Sequence, residues 1–332
     1  IDKAVAAARR ALESDPWASM NPRERGRLLF KLASLVDQNR EELAALETLD
    51  NGKPIRETTN VDLAQVIDVL EYYGGWADKI TGNTNPVNGP FLNYTLREPV
   101  GVVGQIIPWN FPLLMAAWKL GPALACGNTV VVKPSEETPT TTALLGEVMK
   151  AAGVPDGVYN VVHGYGANSA GAFLTAHPGV DAYTFTGETR TGELIMSNAA
   201  KGVRDISLEL GGKNAGIVFA DCDLDKAIEG TMRSAFANCG QVCLGTERVY
   251  VQRPIFDEFV ARLKTAAEGL VIGPPEDASA NLGPLISEKQ RNKVLSYYQQ
   301  AVAEGATLVT GGGIPDMPDE LKGGWWIQPT IW

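Results

Sequence analysis

From residue 101 onward, short apolar runs alternate with amphipathic segments of helical length, and this alternation constrains the fold more than any other feature. The runs expected to form strands are 101–107, 129–132, 158–162, 182–185, 206–210, 216–219 and 248–251. The segments expected to form helices are 113–125, 138–152, 191–200, 224–237 and 255–270. Continuous apolar strands separated by helices predict an α/β fold with an open parallel sheet covered on both faces. Ligands of such sheets bind at the carboxyl ends of the strands.

The first hundred residues are expected to be helical apart from one hairpin. An apolar helical face begins at Ile1, and a second helix begins after Asn21, with Pro22 at the position where a missing N–H costs nothing. A third helix is expected over about 61–79. The segment 81–96 is rich in Gly, Asn and Pro and ends in an alternating apolar and polar run, which predicts a protruding β-hairpin.

Composition excludes several classes of protein. The 332 residues exceed the roughly 250–300 at which one core stops growing, so two domains are expected. The net charge is -10 with both signs interspersed, which argues against a nucleic-acid-binding surface. The most apolar stretch, 101–132, contains several prolines as well as Asn110 and Lys119, so no membrane span is expected. The 4 cysteines are too few for a disulfide framework, which favours the reducing cytoplasm.

Two segments are candidate sites for a nucleotide ligand. The glycine-rich turn 164–171 joins an expected strand to an expected helix, where backbone N–H groups can approach a phosphate. Its spacing departs from Gly-x-Gly-x-x-Gly, and a glycine-rich turn between a strand and a helix is also a common, purely structural feature. Lys133 and Glu136 follow the strand 129–132, a position that suits binding of a ribose. A solvated surface ion pair is the alternative interpretation.

Glu209 and Cys243 are candidate catalytic residues. Glu209 lies late in an otherwise apolar strand, and burial raises the pKa of a carboxylate, which suits a general base. The alternative is an edge strand on which the same residue faces water. Cys243 lies in a loop with glycines on both sides, where substrate can reach it and backbone amides can activate a thiol. Cys239 precedes it by four residues, but a metal pair is disfavoured, because the two histidines, His163 and His177, lie in different loops.

Taken together, these segments resemble the aldehyde dehydrogenase superfamily over nearly the whole chain. The motifs that carry the resemblance stand in the family's order and approximate spacing. They are Pro108-Trp109-Asn110-Phe111-Pro112, Lys133-Pro134-Ser135-Glu136, Phe185-Thr186-Gly187, Leu208-Glu209-Leu210-Gly211-Gly212-Lys213 and Gly240-Gln241-Val242-Cys243.

The resemblance implies a catalytic role for three residues. The Cys243 thiolate attacks the aldehyde, and the side-chain amide of Asn110 holds the oxyanion together with the Cys243 backbone N–H. Hydride then passes to NAD, and Glu209 activates the water that hydrolyses the thioester.

The resemblance also implies a set of cofactor-binding residues. Lys133 and Glu136 bind the adenosine ribose, and Glu136 favours NAD over NADP because it repels a 2′-phosphate. The other residues expected along the cofactor path are Ile107, Pro108, Trp109, Gly166, Gly171, Phe185, Gly187, Leu210 and Gly211.

The implied domains are an NAD-binding domain over 1–80 and 100–210, an oligomerisation hairpin over 81–99, and an incomplete catalytic domain over 211–332. The hairpin implies a homodimer or homotetramer. Family members continue beyond Trp332 and begin before Ile1, so the resemblance also implies further residues at both ends.

This sequence departs from many family members after Gly187. Glu188-Thr189-Arg190 stands where Ser-Thr-Glu is common, so Glu188 must turn away from the cofactor diphosphate. Together with Cys243-Leu244-Gly245-Thr246-Glu247-Arg248, this segment resembles the bacterial branch that acts on hydroxymuconic and aminomuconic semialdehydes, although the first half resembles generalist members. A small-molecule aldehyde, including a muconic-type semialdehyde, is therefore the expected substrate, with no nucleic acid or membrane partner.

Two other functions compete with this expectation. One is transfer of the acyl group to coenzyme A, against which Glu209 argues, because a water-activating base would hydrolyse the waiting thioester. The other is a non-catalytic structural or binding relative, which the retention of Cys243, Glu209 and Asn110 disfavours.

Overall fold

The computed structural model describes residues 1–332, which divide into two compact units. The first unit comprises Ile1–Leu43 and Thr59–Leu210, and the second comprises Ala44–Thr58 and Gly211–Trp332. The helices are α1 (Asp2–Glu13), α2 (Pro22–Gln38), α3 (Arg40–Asn51), α4 (Ile55–Glu57), α5 (Leu63–Trp76), α6 (Pro112–Ala125), α7 (Thr140–Ala152), α8 (Ala170–Ala176), α9 (Thr189–Ala200), α10 (Leu224–Phe236), α11 (Phe256–Glu268) and α12 (Glu288–Ala303). The strands are β1 (Thr84–Asn85), β2 (Asn93–Tyr94), β3 (Val102–Ile106), β4 (Thr129–Lys133), β5 (Tyr159–Val161), β6 (Ala182–Thr186), β7 (Asp205–Glu209), β8 (Asn214–Val218) and β9 (Thr246–Val251).

The first unit is built on a five-stranded parallel sheet in the order β5-β4-β3-β6-β7. The central strands are buried on both faces, as the continuous apolar runs predict. One core cluster joins α1 to the sheet through residues that are all almost fully buried: Val5, Ala8, Val102, Val131, Leu174, Val180, Tyr183 and Ala199. The predicted α/β fold with an open parallel sheet is confirmed.

The start of α2 shows why the sequence forms a helix at this point. The Asn21 side chain accepts the backbone N–H of Glu24, and the Glu24 carboxylate accepts the backbone N–H of Asn21. Pro22 occupies the first helical position, where its lack of an N–H costs nothing.

No helix of the structure combines the length and the apolar character that a membrane crossing requires.

A two-stranded antiparallel hairpin lies within the segment predicted to protrude. Strands β1 and β2 pair Thr84 with Tyr94 and Asn85 with Asn93. The apolar side chains of Phe91, Leu92, Tyr94 and Leu96 are all largely exposed on it.

The second unit contains a parallel pair of strands, β8 and β9, with α10 and α11 packed on it. Its core cluster contains Val218, Ile228, Phe259 and Leu263. The segment Ala44–Thr58, which was expected in the first domain, lies in this unit instead.

Two contacts link the segment Ala44–Thr58 to the rest of the second unit. The backbone N–H of Ile55 donates to the carbonyl of Pro275 at 2.7 Å. Gly52 and Gly283 approach so closely that a Cβ at Gly283 would lie 1.9 Å from the Gly52 carbonyl oxygen. Such long-range contacts leave no periodic signal in the sequence.

Candidate active site

The strand order of the first unit reverses between β3 and β6, and open α/β sheets bind ligands in the crevice outside this point. Several of the predicted cofactor residues meet at this carboxyl edge. Ile107 follows β3 and its N–H donates to the carbonyl of Lys133 at 3.0 Å. Phe185 on β6 pairs with Ile106, and the N–H of Gly187 donates to the carbonyl of Glu209 at 3.0 Å. The fold therefore brings Ile107, Lys133, Phe185, Gly187 and Glu209 to one edge of the sheet.

The turn after β3 carries the next three predicted residues. Pro108, Trp109 and Asn110 connect β3 to α6 and are all half-buried. Pro112 begins α6, so the helix starts immediately after this turn. The turn thus lies at the reversal point of the sheet, with side chains that are accessible to a ligand.

A buried lysine supports β6 at the same edge. The Lys119 ammonium donates to the Thr186 hydroxyl at 2.6 Å, and both side chains are buried. The side chain of Gln105 donates to the Lys119 carbonyl at 2.9 Å. Sequence reasoning treated Lys119 only as a residue incompatible with a membrane span, since nothing in the sequence pairs it with a threonine 67 residues away.

Lys133 and Glu136 form an ion pair with unequal exposure. The Lys133 ammonium lies 2.9 Å from the Glu136 carboxylate and 2.8 Å from the carbonyl of Pro134. The Lys133 side chain is 5% exposed and that of Glu136 is 41% exposed. The interpretation as a solvated surface pair is therefore wrong for Lys133. A buried cation that holds an accessible carboxylate at the end of β4 is suited to binding vicinal hydroxyl groups.

A cavity of about 570 Å³ opens beside the same pair of strands. It is lined by Pro139, Thr140, Ala143, Leu144, Glu147 and His163. Pro139 is the N-cap residue of α7, the next four lie on α7, which follows β4, and His163 follows β5. This depression in the surface therefore lies near the carboxyl ends of β4 and β5.

The glycine-rich turn 164–171 is held together by its own backbone. The N–H of Gly171 donates to the Tyr165 carbonyl at 3.0 Å, and the N–H of Ala172 donates to the Gly166 carbonyl at 2.9 Å. A Cβ at Gly171 would lie 3.0 Å from the Cα of Gly166, whereas a Cβ at Gly166 would meet no atom within 4 Å. The N–H groups of Gly171 and Ala172 are thus engaged within the turn. Gly171 allows the two ends of the turn to pack closely, whereas Gly166 faces open space.

Glu209 does not have the buried position that its apolar neighbours predicted. Strand β7 is the edge strand of the sheet, and the Glu209 side chain is exposed. The alternative of an edge residue facing water is what the structure shows. Leu210 packs against Gly192, where a Cβ would lie 2.7 Å from the leucine side chain, and Gly211 begins the second unit.

Glu188 is the N-cap residue of α9, and its side chain is exposed. Its carbonyl accepts the N–H groups of Thr191 and Gly192, and its side chain makes no capping hydrogen bond.

Cys243 lies in the second unit, in a short turn before β9. The N–H of Gly245 donates to the carbonyl of Val242 at 3.1 Å and closes the turn. The carbonyls of Cys243 and Gly245 both accept hydrogen bonds from the side-chain amide of Asn214, at 2.7 and 3.0 Å. The cysteine is half-buried.

The chain enters this turn through three consecutive left-handed residues, Asn238, Cys239 and Gly240, with φ of 48°, 56° and 76°. Left-handed backbone costs roughly 1–2 kcal/mol for a residue other than glycine, so surrounding contacts must hold it. The N–H of Asn238 donates to the carboxylate of Glu57 at 3.0 Å. The Gln241 side chain donates to the Asn238 carbonyl at 3.1 Å and accepts the N–H of Ile286 at 3.2 Å.

The thiol of Cys239 has a different environment from that of Cys243. It donates to the carbonyl of Gly283 at 3.2 Å. Burial and, to a smaller extent, the carboxylate of Glu57 raise the pKa of Cys239 to about 12. The raised pKa disfavours the thiolate of Cys239, so Cys243 remains the candidate nucleophile.

Comparison with known proteins identifies the family of the chain. The profile of the aldehyde dehydrogenase family matches residues 1–332. The chain belongs to the aldehyde dehydrogenase family. A 2-hydroxymuconic semialdehyde dehydrogenase of Pseudomonas sp. (strain CF600) is 62% identical, over 100% of this chain and 69% of that protein. A 2-aminomuconic 6-semialdehyde dehydrogenase of Pseudomonas sp. is 47% identical, over 100% of this chain and 68% of that protein.

Solved aldehyde dehydrogenase structures share the fold. The NAD+ complex of the aldehyde dehydrogenase from Bacillus cereus is 44% identical and superposes with a TM-score of 0.95, over 99% of this chain and 66% of that one. This chain thus spans about two thirds of the length of the aldehyde dehydrogenases that it matches. The family predicted from the sequence motifs is confirmed.

The residues that hold the turn around Cys243 were not among those predicted from the sequence. Asn214, Gln241 and Glu57 come from three separate parts of the chain. Gln241 lies within the motif Gly240-Gln241-Val242-Cys243, and Asn214 directly follows the motif that ends at Lys213, so both amides were available as signals. Glu57 becomes recognisable only when the fold places it against the turn.

Proposed function

We propose that this protein oxidises an aldehyde to a carboxylic acid, with NAD as the electron acceptor and Cys243 as the nucleophile. The observation that carries the proposal is the convergence of Ile107, Lys133, Phe185, Gly187 and Glu209 on one carboxyl edge of a parallel sheet. Membership of the aldehyde dehydrogenase family supplies the reaction class. The residue roles below follow from the family motifs that these positions match.

In the first half of the reaction, the Cys243 thiolate forms a C–S bond to the aldehyde carbon, and the carbonyl oxygen becomes an oxyanion. The Asn110 amide and the Cys243 backbone N–H donate hydrogen bonds to it. The hydrogen bond that closes the 242–245 turn uses the N–H of Gly245, so it does not engage the Cys243 N–H. NAD, when bound, would accept the hydride that the former aldehyde carbon loses as the thioester forms on Cys243.

In the second half, the Glu209 carboxylate takes a proton from a water molecule, which attacks the thioester carbon. The C–S bond breaks, the carboxylic acid leaves and the thiolate is restored. The exposure of Glu209 gives water direct access to its carboxylate. Release of the acyl group to water rather than to coenzyme A follows from this role.

The residues present fit NAD. The Glu136 carboxylate, held by buried Lys133, is placed to accept hydrogen bonds from the adenosine ribose, and the surface depression beside α7 would receive the adenine. Pro108 and Trp109 lie at the reversal point, and Gly166 offers open space for the approach of the cofactor. The exposed side chain of Glu188 is free to turn toward solvent.

For the substrate, we propose a muconic-type semialdehyde, an unsaturated chain with an aldehyde at one end and a carboxylate at the other. The 62% identity to a 2-hydroxymuconic semialdehyde dehydrogenase supports this class over simple aliphatic aldehydes.

We also propose a homodimer or homotetramer in the cytoplasm. The exposed apolar side chains of the hairpin support self-association. The 4 cysteines are all free, which supports a reducing compartment.

The test is NADH formation by the full-length product of the gene, followed with 2-hydroxymuconic semialdehyde and with hexanal. We expect a higher kcat/KM for the semialdehyde, and equal values would overturn the substrate proposal. Absence of NADH with every aldehyde would overturn the proposed function itself.

A further inference from the structure

The turn that carries Cys243 is clamped by one side chain from a different strand. Its own hydrogen bond joins the Gly245 N–H to the Val242 carbonyl. Asn214, the first residue of β8, adds two more hydrogen bonds, from Nδ2 to the carbonyls of Cys243 and Gly245. Three hydrogen bonds therefore fix four residues, and two of the three come from a single amide nitrogen.

The position of Asn214 is itself fixed through its neighbour, Lys213. The Arg248 guanidinium donates to the Lys213 carbonyl from Nε at 3.0 Å and from Nη2 at 2.8 Å. The Lys213 ammonium pairs with the Glu247 carboxylate at 2.8 Å. Glu247 and Arg248 lie on β9 directly after Thr246, the partner of Asn214, so these contacts tie Lys213 to β9 beside the irregularity in strand register between Asn214 and Ala215.

Space around the turn is also restricted. A Cβ at Gly245 would lie 3.1 Å from the carbonyl of Ser234 and 3.2 Å from that of Val242. The Ser234 hydroxyl shares a hydrogen bond with the Thr246 hydroxyl and also accepts the backbone N–H of Thr246. The contacts at Gly245 and Thr246 thus fix the end of the turn that leads into β9, and Asn214 adds the hydrogen bond to the Cys243 carbonyl.

We infer that Asn214 is a positioning residue for the nucleophile, a role that rests on the proposed function of Cys243. By fixing the Cys243 carbonyl, its amide sets the plane of the peptide bond after Cys243 and limits the directions in which the thiol and the Cys243 N–H point. A nucleophile held in one orientation reacts faster than one that samples several. The amide does not touch the reacting atoms, so its effect is on orientation.

Asn214→Asp tests the inference with almost no change of shape. The substitution replaces an N–H donor with an oxygen that faces two carbonyl oxygens, so the turn must open. Asn214→Ala removes both hydrogen bonds without repulsion and keeps the test intact should the aspartate variant fail to fold, as judged by circular dichroism. Asn292→Asp, an exposed position on α12, is the matched control for the added charge.

The readouts separate positioning from general damage. Site-resolved alkylation by iodoacetamide, followed by mass spectrometry, gives the reaction rate of Cys243 alone, and steady-state kinetics give kcat and the KM for NAD. We expect alkylation of Cys243 and kcat to fall about tenfold or more in both Asn214 variants, with an unchanged KM for NAD and an unchanged Asn292→Asp control.

A folded Asn214 variant whose Cys243 alkylation rate and kcat match those of the wild type would overturn the inference. A fall in kcat accompanied by an equal loss of NAD affinity would also overturn it, because that pattern indicates general damage. The alkylation rate does not require turnover. If the wild type forms no NADH, the proposed function fails, and the alkylation comparison still decides whether Asn214 orients Cys243.

Discussion

The ammonium of Lys133 lies 2.9 Å from the carboxylate of Glu136, and the cation is buried while the carboxylate remains accessible. This asymmetry defines what each residue can do. Lys133 cannot turn toward solvent without losing its bonds to Glu136 and to the Pro134 carbonyl. Glu136 is consequently the member of the pair that faces a ligand.

Replacing Glu136 with Gln is expected to relax the preference of the enzyme for NAD. The substitution removes the negative charge that would repel a 2′-phosphate and weakens the hydrogen bonds that a ribose would make. We expect the ratio of kcat/KM for NAD to that for NADP to fall about tenfold or more. Steady-state kinetics with both cofactors measure this ratio. Glu137→Gln, at the adjacent exposed position, is the control that should leave it unchanged.

Gly171 and Gly166 are expected to respond in opposite ways to substitution by alanine. A Cβ at Gly171 presses on the backbone of Gly166, which cannot give way as a flexible side chain would. Gly171→Ala should therefore lower the free energy of unfolding by about 1–3 kcal/mol. Gly166→Ala should change it by less than about 0.5 kcal/mol, yet weaken NAD binding if the cofactor passes through the open space. Urea denaturation and titration with NAD provide the two readouts. An Ala at 171 that is as stable as the wild type would contradict the packing argument.

Glu209→Gln tests the hydrolytic half of the reaction separately from the oxidative half. Without the carboxylate that accepts a proton from water, the thioester should accumulate, and kcat should fall by roughly 10²–10⁴. We expect a rapid burst of about one NADH for each active site, followed by slow turnover. Stopped-flow absorbance measures both phases. Loss of the burst together with the turnover would show that Glu209 is needed before the thioester forms.

Cys239 should make the protein less stable at high pH. Its folded pKa is raised to about 12, whereas an unfolded cysteine titrates near about 8.5. Because the pKa of Cys239 is higher in the folded protein, the stability that the protonated thiol contributes is fully present below the unfolded pKa. That stability is lost as the pH rises toward the folded pKa. Between these values, the free energy of unfolding should fall about 1 kcal/mol per pH unit more steeply in the wild type than in Cys239→Ala. Denaturation under reducing conditions at pH 8 and pH 10 measures the two slopes, and equal slopes would contradict the assigned environment.

The sequence predicted the parallel sheet because its strands are continuous apolar runs, and such runs are visible without any knowledge of the fold. It could not show that β7 is an edge strand, so both a buried and a water-facing Glu209 were open from the sequence, and the residue is exposed. The same limit applies to Lys133, whose burial depends on elements far along the chain. The grouping of Ala44–Thr58 with the second unit was not visible in the sequence, because its partners, such as Pro275, lie more than two hundred residues away.

The catalytic motifs were recognisable because each concentrates its residues within a few positions. Their supporting contacts were not. Asn214 acts on a turn 29 residues later, and Glu57 holds an N–H 181 residues away. Hydrogen bonds of this kind depend on the packing of separate elements, and no spacing rule predicts them.

The central claim is that Cys243, and not its neighbour Cys239, carries the acyl group. The most direct measurement compares NADH formation, with the best aldehyde substrate, by the wild type, Cys243→Ala and Cys239→Ala, each as the full-length product of the gene. We predict that the wild type and Cys239→Ala produce NADH and that Cys243→Ala produces none above background while still binding NAD. NADH formation by Cys243→Ala at the wild-type rate would contradict the account.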